Sequence, residues 1–142
     1  MTEITFYTFA DNPLDVARRV ATKAFGQGKQ VMIYAPDTAL ADAIDHLLWT
    51  TPALGFVPHC RDRDALARDT PILIGSDPDA LCQADVMINL HREQPPAFAR
   101  FERLVEIVGQ DESGREQGRA RYRFYQARGY ALKTHDLRQH TG

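Results

Sequence analysis

A chain of 142 residues, 44% hydrophobic and 25% charged, has the size and balance of one folded domain, which excludes a disordered chain. Its apolar runs fall far short of the roughly 20 residues of a membrane span. Met1 to Thr5 shows no basic region and no leader-like apolar core, and the two cysteines, Cys60 and Cys82, are too few for a disulfide framework, so the expectation is a cytoplasmic protein with no signal peptide and no membrane partner.

The predicted elements alternate. Ile4 to Phe9 reads as a strand, and Asp11 or Asn12 caps a helix with Leu14, Ala17, Val20, Ala21, Ala24 and Phe25 at helical spacing. Gly26 and Gly28 end it. Val31 to Ala35 is a nearly continuous apolar run, the pattern of a strand buried on both faces. Asp37 or Thr38 caps a second helix with Leu40, Ala43, Ile44, Leu47 and Leu48 inward and Trp49 at its end. After a Pro/Gly-punctuated stretch, Pro71 to Gly75 and Asp85 to Leu90 read as strands, and Phe98 to Phe101 as a helical turn. Arg103 to Val108 is a further strand or the end of that turn, residues 112–128 form the last helix, and Tyr130 to Leu137 returns as a strand. The pattern implies an α/β fold: a single Rossmann-like domain over 1–142, mostly parallel sheet with helices on both faces. The last residues, 135–142, are a candidate disordered tail.

Enzyme motifs fail their tests. The dinucleotide fingerprint needs glycines after the first strand, where the chain reads Ala10-Asp11-Asn12-Pro13. Gly26-Gln27-Gly28-Lys29 falls at a helix C-terminus, whose carbonyls repel phosphate. His59-Cys60, with Cys82 and His91 downstream, has no zinc-ligand spacing, and reads as a loop histidine beside a buried cysteine rather than a nucleophile with its base. The expectation is no catalytic residue, no metal and no cofactor. A small nucleotide-dependent or nucleic-acid-processing α/β enzyme is the alternative, but it would need a motif that these tests do not find.

Charge is unevenly spread. Residues 1–112 carry 10 Lys or Arg against 17 Asp or Glu, whereas residues 113–142 carry 7 against 2. On the last helix, Arg115, Arg119, Tyr122, Arg123 and Gln126 fall on one side, leaving Gln117, Ala120, Phe124 and Ala127 for the other, with Phe124 and the alanines expected to face the core. Like charges at i, i+4 oppose the helix slightly, so the stripe suggests use. Guanidinium forks bind carboxylates and a tyrosine ring gives an apolar wall, which suits an acidic peptide with an apolar anchor or a nucleic-acid backbone; a solvated basic face is the plain alternative. A second feature is Leu47 to His59, which gathers Trp49, Pro52, Phe56 and Pro58 in and around a loop, either capping the core or forming an apolar partner surface.

Several short segments, in order, carry a resemblance. They are Thr5-Phe6-Tyr7, Gly28 to Ile33, Leu48-Trp49 with Pro52, Phe56-Val57-Pro58-His59, Asp85 to Leu90, and Arg121-Tyr122-Arg123-Phe124-Tyr125 running to Gly129-Tyr130. Together they resemble the chi subunit family of the bacterial DNA polymerase III holoenzyme, over about residues 3 to 134. The resemblance implies a noncatalytic adaptor of DNA replication with a cofactor-free Rossmann-like fold. It implies two partners: the acidic C-terminal tail of single-stranded-DNA-binding protein, which ends in a phenylalanine carboxylate, and the psi subunit, which tethers the protein to the clamp loader. DNA would be met mainly indirectly. Carried over residue by residue, tail binding falls on Arg115, Arg119, Tyr122 and Arg123, and psi binding on Trp49, Pro52 and Phe56. The segments 60–70 and 135–142 have no counterpart in the resemblance.

Overall fold

A computed structural model describes residues 2–50, 59–61, 71–76 and 85–139. Seven strands form one sheet: β1 (Glu3–Ala10), β2 (Val31–Tyr34), β3 (His59–Arg61), β4 (Ile72–Gly75), β5 (Val86–Asn89), β6 (Arg103–Gly109) and β7 (Leu132–Asp136). Their order is β3-β4-β2-β5-β6-β1-β7 and every pairing is parallel. Three helices, α1 (Pro13–Gly26), α2 (Thr38–Thr50) and α3 (Glu112–Ala127), cover it.

The expected α/β fold is therefore present. Alternation along the strands divides the core in two. Val31, Ile33, Ile72, Ile74, Val105 and Ile107 meet Val16, Ala17 and Ala21 of α1 and Ile44 of α2 on one face. Ile4, Phe6, Met32, Leu73, Met87, Leu104 and Val108 meet Tyr125 of α3 on the other. β2 and β5 are buried along their whole length, as their unbroken apolar runs required.

Local signals set the helix ends. The Asn12 side chain accepts from the Asp15 N–H with Pro13 in the first turn, Asp37 Oδ1 accepts from the Ala39 N–H at 2.8 Å, and Asp111 accepts from the Gly114 N–H at 2.9 Å. Gly28, at φ 76, turns the chain out of α1 toward β2, so the glycine pair does close a helix. Arg103 to Gly109 is wholly strand, and Phe98–Arg100 is a single 3-10 turn. A further 3-10 turn at Leu137–Gln139 follows β7.

One element escaped the sequence reading. His59 lies in β3 rather than in a loop, paired with Ile72 of β4 and buried. Three residues with no apolar run carry too little periodicity to announce a strand; only the partner strand defines it.

β1 and β6 are neighbours, yet the helices that follow them, α1 and α3, pack on opposite faces. Such a switch opens a crevice at the carboxyl ends of the strands, where open α/β sheets place their ligands.

Candidate functional site

At that crevice β1 is irregular. Tyr7 pairs with Ile107 and Ala10 with Gly109, so Thr8 and Phe9 together oppose the single residue Val108. The extra residue is a β-bulge, and Phe9 adopts φ 57, a left-handed conformation uncommon for a bulky side chain. Regular alternation would send Thr8 and Phe9 to opposite faces of the sheet. With the bulge, both line one cavity of about 230 Å³, whose other walls are Phe6, Val108, Thr134 and, from α3, Arg115, Gly118, Arg119 and Tyr122.

The cavity is mostly apolar with a cationic rim. Phe6 is buried and meets the half-buried Tyr122 ring edge-on at 5.3 Å. The Arg115 guanidinium lies 5.3 Å from the centre of the Phe9 ring, and Arg138 stacks on the same ring at 3.5 Å, held there by Asp136 at 2.6 Å. Neither Arg115 nor Arg119 has a carboxylate partner among the described residues. An unpaired cation at the mouth of an apolar cavity is a receptor for an anion carrying a hydrophobic group. The size fits one ring, since a cavity of about 150 Å³ accepts benzene.

The structure thus brings together three of the four residues expected on the α3 stripe. Arg123, the fourth, is exposed on the same helix but lies outside the cavity lining. Helix geometry explains the split: with Arg115 as origin, Gly118, Arg121 and Tyr125 centre about 90° to one side and Arg123 lies about 80° to the other. Arg115, Arg119 and Tyr122 border the buried face, whereas Arg123 points away from it.

The buried face of α3 differs from the expectation. Ala120 and Ala127 are exposed and Phe124 is half-buried under Arg128, whose guanidinium lies 4.3 Å from the ring centre. The buried residues are Gly118, Arg121 and Tyr125. The reason is Glu106, a fully buried carboxyl on β6. Arg121 Nε donates to Glu106 Oε1 at 3.0 Å, and the Tyr125 hydroxyl donates to Oε2 at 2.5 Å. Asn89 Nδ2 on β5 donates to both oxygens, at 3.0 and 3.1 Å. Burial pushes the Glu106 carboxyl above its ordinary value, opposed by the Arg121 charge and these hydrogen bonds. Burial, with the neighbouring carboxylate adding to it, raises the Tyr125 hydroxyl.

The sequence reading missed Phe6, Thr8, Phe9, Val108, Gly118 and Thr134 as cavity residues. Phe9 carried the one available hint, an aromatic at the end of the first strand, but its direction depends on the bulge. On the far part of the molecule, Trp49 lies in the last turn of α2 and is 60% exposed, with its ring 5.1 Å from that of His59. His59 Nε2 lies 3.1 Å from Asp45 Oδ1, and Arg61 pairs with Asp42 at 3.0 Å, bracing β3 against α2. Pro52 and Phe56, expected beside Trp49, lie outside the described residues. Among the described residues no three His, Cys, Asp or Glu side chains cluster as metal ligands, and no helix is long and apolar enough to cross a membrane.

Comparison with known proteins identifies the family. The family model described as DNA polymerase III chi subunit, HolC, matches residues 1–133. The chain is 34% identical over 142 residues to DNA polymerase III subunit chi of Pseudomonas aeruginosa, covering 96% of this chain and 98% of that protein. It is 30% identical over 137 residues to the subunit of the same name from Haemophilus influenzae, covering 93% and 95%, and 28% identical over 116 residues to that of Escherichia coli, covering 81% and 79%. The chain belongs to the DNA polymerase III chi subunit family, accessory subunits of the replication machinery.

Proposed function

We propose that this protein is a noncatalytic adaptor that captures the acidic C-terminal tail of single-stranded-DNA-binding protein and joins it, through the psi subunit, to the clamp loader. The observation that carries the reading is the pairing of a ring-sized apolar cavity with two arginines, Arg115 and Arg119, that lack carboxylate partners among the described residues. The terminal phenylalanine ring enters between Phe6, Phe9 and Tyr122. Its carboxylate and the acidic residues before it meet Arg115 and Arg119, with Arg123 as an outer contact. Exposed ion pairs contribute about 0.2–1 kcal/mol each, so the isolated tail binds at roughly micromolar strength and weakens with salt. The psi subunit docks at Trp49, whose exposed ring is the kind of aromatic anchor that dominates interfaces.

Fluorescence anisotropy of a labelled tail peptide tests the reading. Arg115→Ala with Arg119→Ala should weaken binding by about tenfold or more with an unchanged melting temperature. Arg123→Ala alone should have a smaller effect. Unchanged affinity in the double variant contradicts the assignment.

A further inference from the structure

Glu106 touches no residue of the Arg115, Arg119 and Tyr122 stripe through any hydrogen bond, yet it fixes the helix that carries the stripe. A bare helix packed on apolar surface is free to roll by a fraction of a turn, because apolar contact is non-directional. Glu106 removes that freedom. Its two oxygens take Arg121 and Tyr125, one turn apart on α3, at 3.0 and 2.5 Å, while Asn89 holds the carboxyl from β5. Arg121 also donates through Nη1 to the Arg92 carbonyl at 2.6 Å, and Asn89 Nδ2 to the Glu93 carbonyl at 3.0 Å, so the segment after β5 is tied into the same cluster. Every bond is directional, and all lie on the buried side of α3 beside the stripe.

We infer that Glu106 is a positioning residue for the peptide site: its bonds to Arg121 and Tyr125 set the axial rotation of α3 and so hold Arg115, Arg119 and Tyr122 at the rim of the cavity. A purely apolar face would supply burial without register, and burying a carboxyl with a guanidinium is a costly way to gain stability alone. The inference rests on the stripe being a peptide receptor.

The test is titration of the full chain with the labelled tail peptide, using Glu106→Gln and, as a milder variant that removes one hydroxyl, Tyr125→Phe. Far-UV circular dichroism and amide spectra establish the folded fraction, and affinity is referred to folded protein. Glu106→Gln should weaken binding about fivefold to tenfold, and Tyr125→Phe about twofold to threefold, with a shallower slope of affinity against salt than the parent, because the misplaced arginines form weaker ion pairs with the peptide. Arg119→Ala should cost less in the Glu106→Gln background than in the parent, since the arginine is already misplaced there. A merely structural role lowers the melting temperature and leaves all three readouts unmoved. If Glu106→Gln does not fold, Tyr125→Phe decides. Parent affinity in the folded variants, or full additivity with Arg119→Ala, overturns the positioning role alone. Absence of binding by the parent overturns the peptide reading, and this inference with it.

Discussion

Gly118 of α3 lies so close to β6 that a Cβ added to it would stand 2.7 Å from Cγ2 of Val108. Both residues line the cavity, so the same close approach that seats the helix also shapes the floor of the site. Val108 is β-branched and stiff at χ1, and cannot swing aside cheaply. Gly118→Ala should therefore destabilise the domain by about 1–3 kcal/mol from overpacking, outweighing the roughly 1 kcal/mol that alanine gains over glycine within a helix. Urea denaturation measures this. Adding Val108→Ala should recover part of the loss, and a Gly118→Ala protein more stable than its parent would contradict the packing described.

Phe9 separates ring from backbone. At φ 57 its conformation suits glycine, so Phe9→Gly should be more stable than Phe9→Ala by about 1 kcal/mol despite losing the same ring. Both variants should bind a tail ending in phenylalanine several-fold more weakly, because the ring forms a cavity wall. Equal stability of the two would mean that the bulge does not impose the left-handed conformation.

Trp49 is mostly exposed, so its loss should change stability by no more than about 0.5 kcal/mol. Binding to the psi subunit, measured by calorimetry, should fall in Trp49→Ala by tenfold or more if the ring is an interface anchor. Tail binding should be untouched. Parent-like psi affinity would remove this surface from the account.

The buried carboxyl gives a pH signature. Burial raises Glu106 above its ordinary 4.5. In the window just above that value the unfolded chain has released the proton that the folded chain still holds. Stability from this group is full below the unfolded pKa and is lost as pH rises through the folded one. The stability of the parent relative to Glu106→Gln should therefore decline as pH is raised from 4.5. Urea midpoints across a pH series read the difference; a difference that grows with pH reverses the sign and rejects the argument.

Much of this fold is legible in the chain itself. The runs Val31 to Tyr34 and Val86 to Asn89 announce doubly buried strands, and Asn12, Asp37 and Gly28 mark helix ends, because each signal is local. The stripe of Arg115, Arg119 and Tyr122 is visible for the same reason. The inward face of α3 is not. Arg121 has no inward place in the sequence until Glu106, fifteen residues earlier on another element, is known to meet it. Phe124 takes the inward place by hydrophobicity alone, whereas the structure gives that side to Arg121 and Tyr125 because their donors satisfy a buried carboxyl. The cavity likewise depends on a bulge that displaces Phe9 from its alternating position, and alternation is the rule by which a sequence is read.

Isothermal titration calorimetry with the last ten or so residues of the same organism's single-stranded-DNA-binding protein, with and without the final phenylalanine, tests the central claim most directly. The account predicts salt-sensitive binding of the full peptide at roughly micromolar strength and none for the shortened one, since in the proposed binding mode the ring fills the cavity and its carboxylate meets Arg115 and Arg119. Equal binding of the two peptides, or no binding by folded protein, would contradict it.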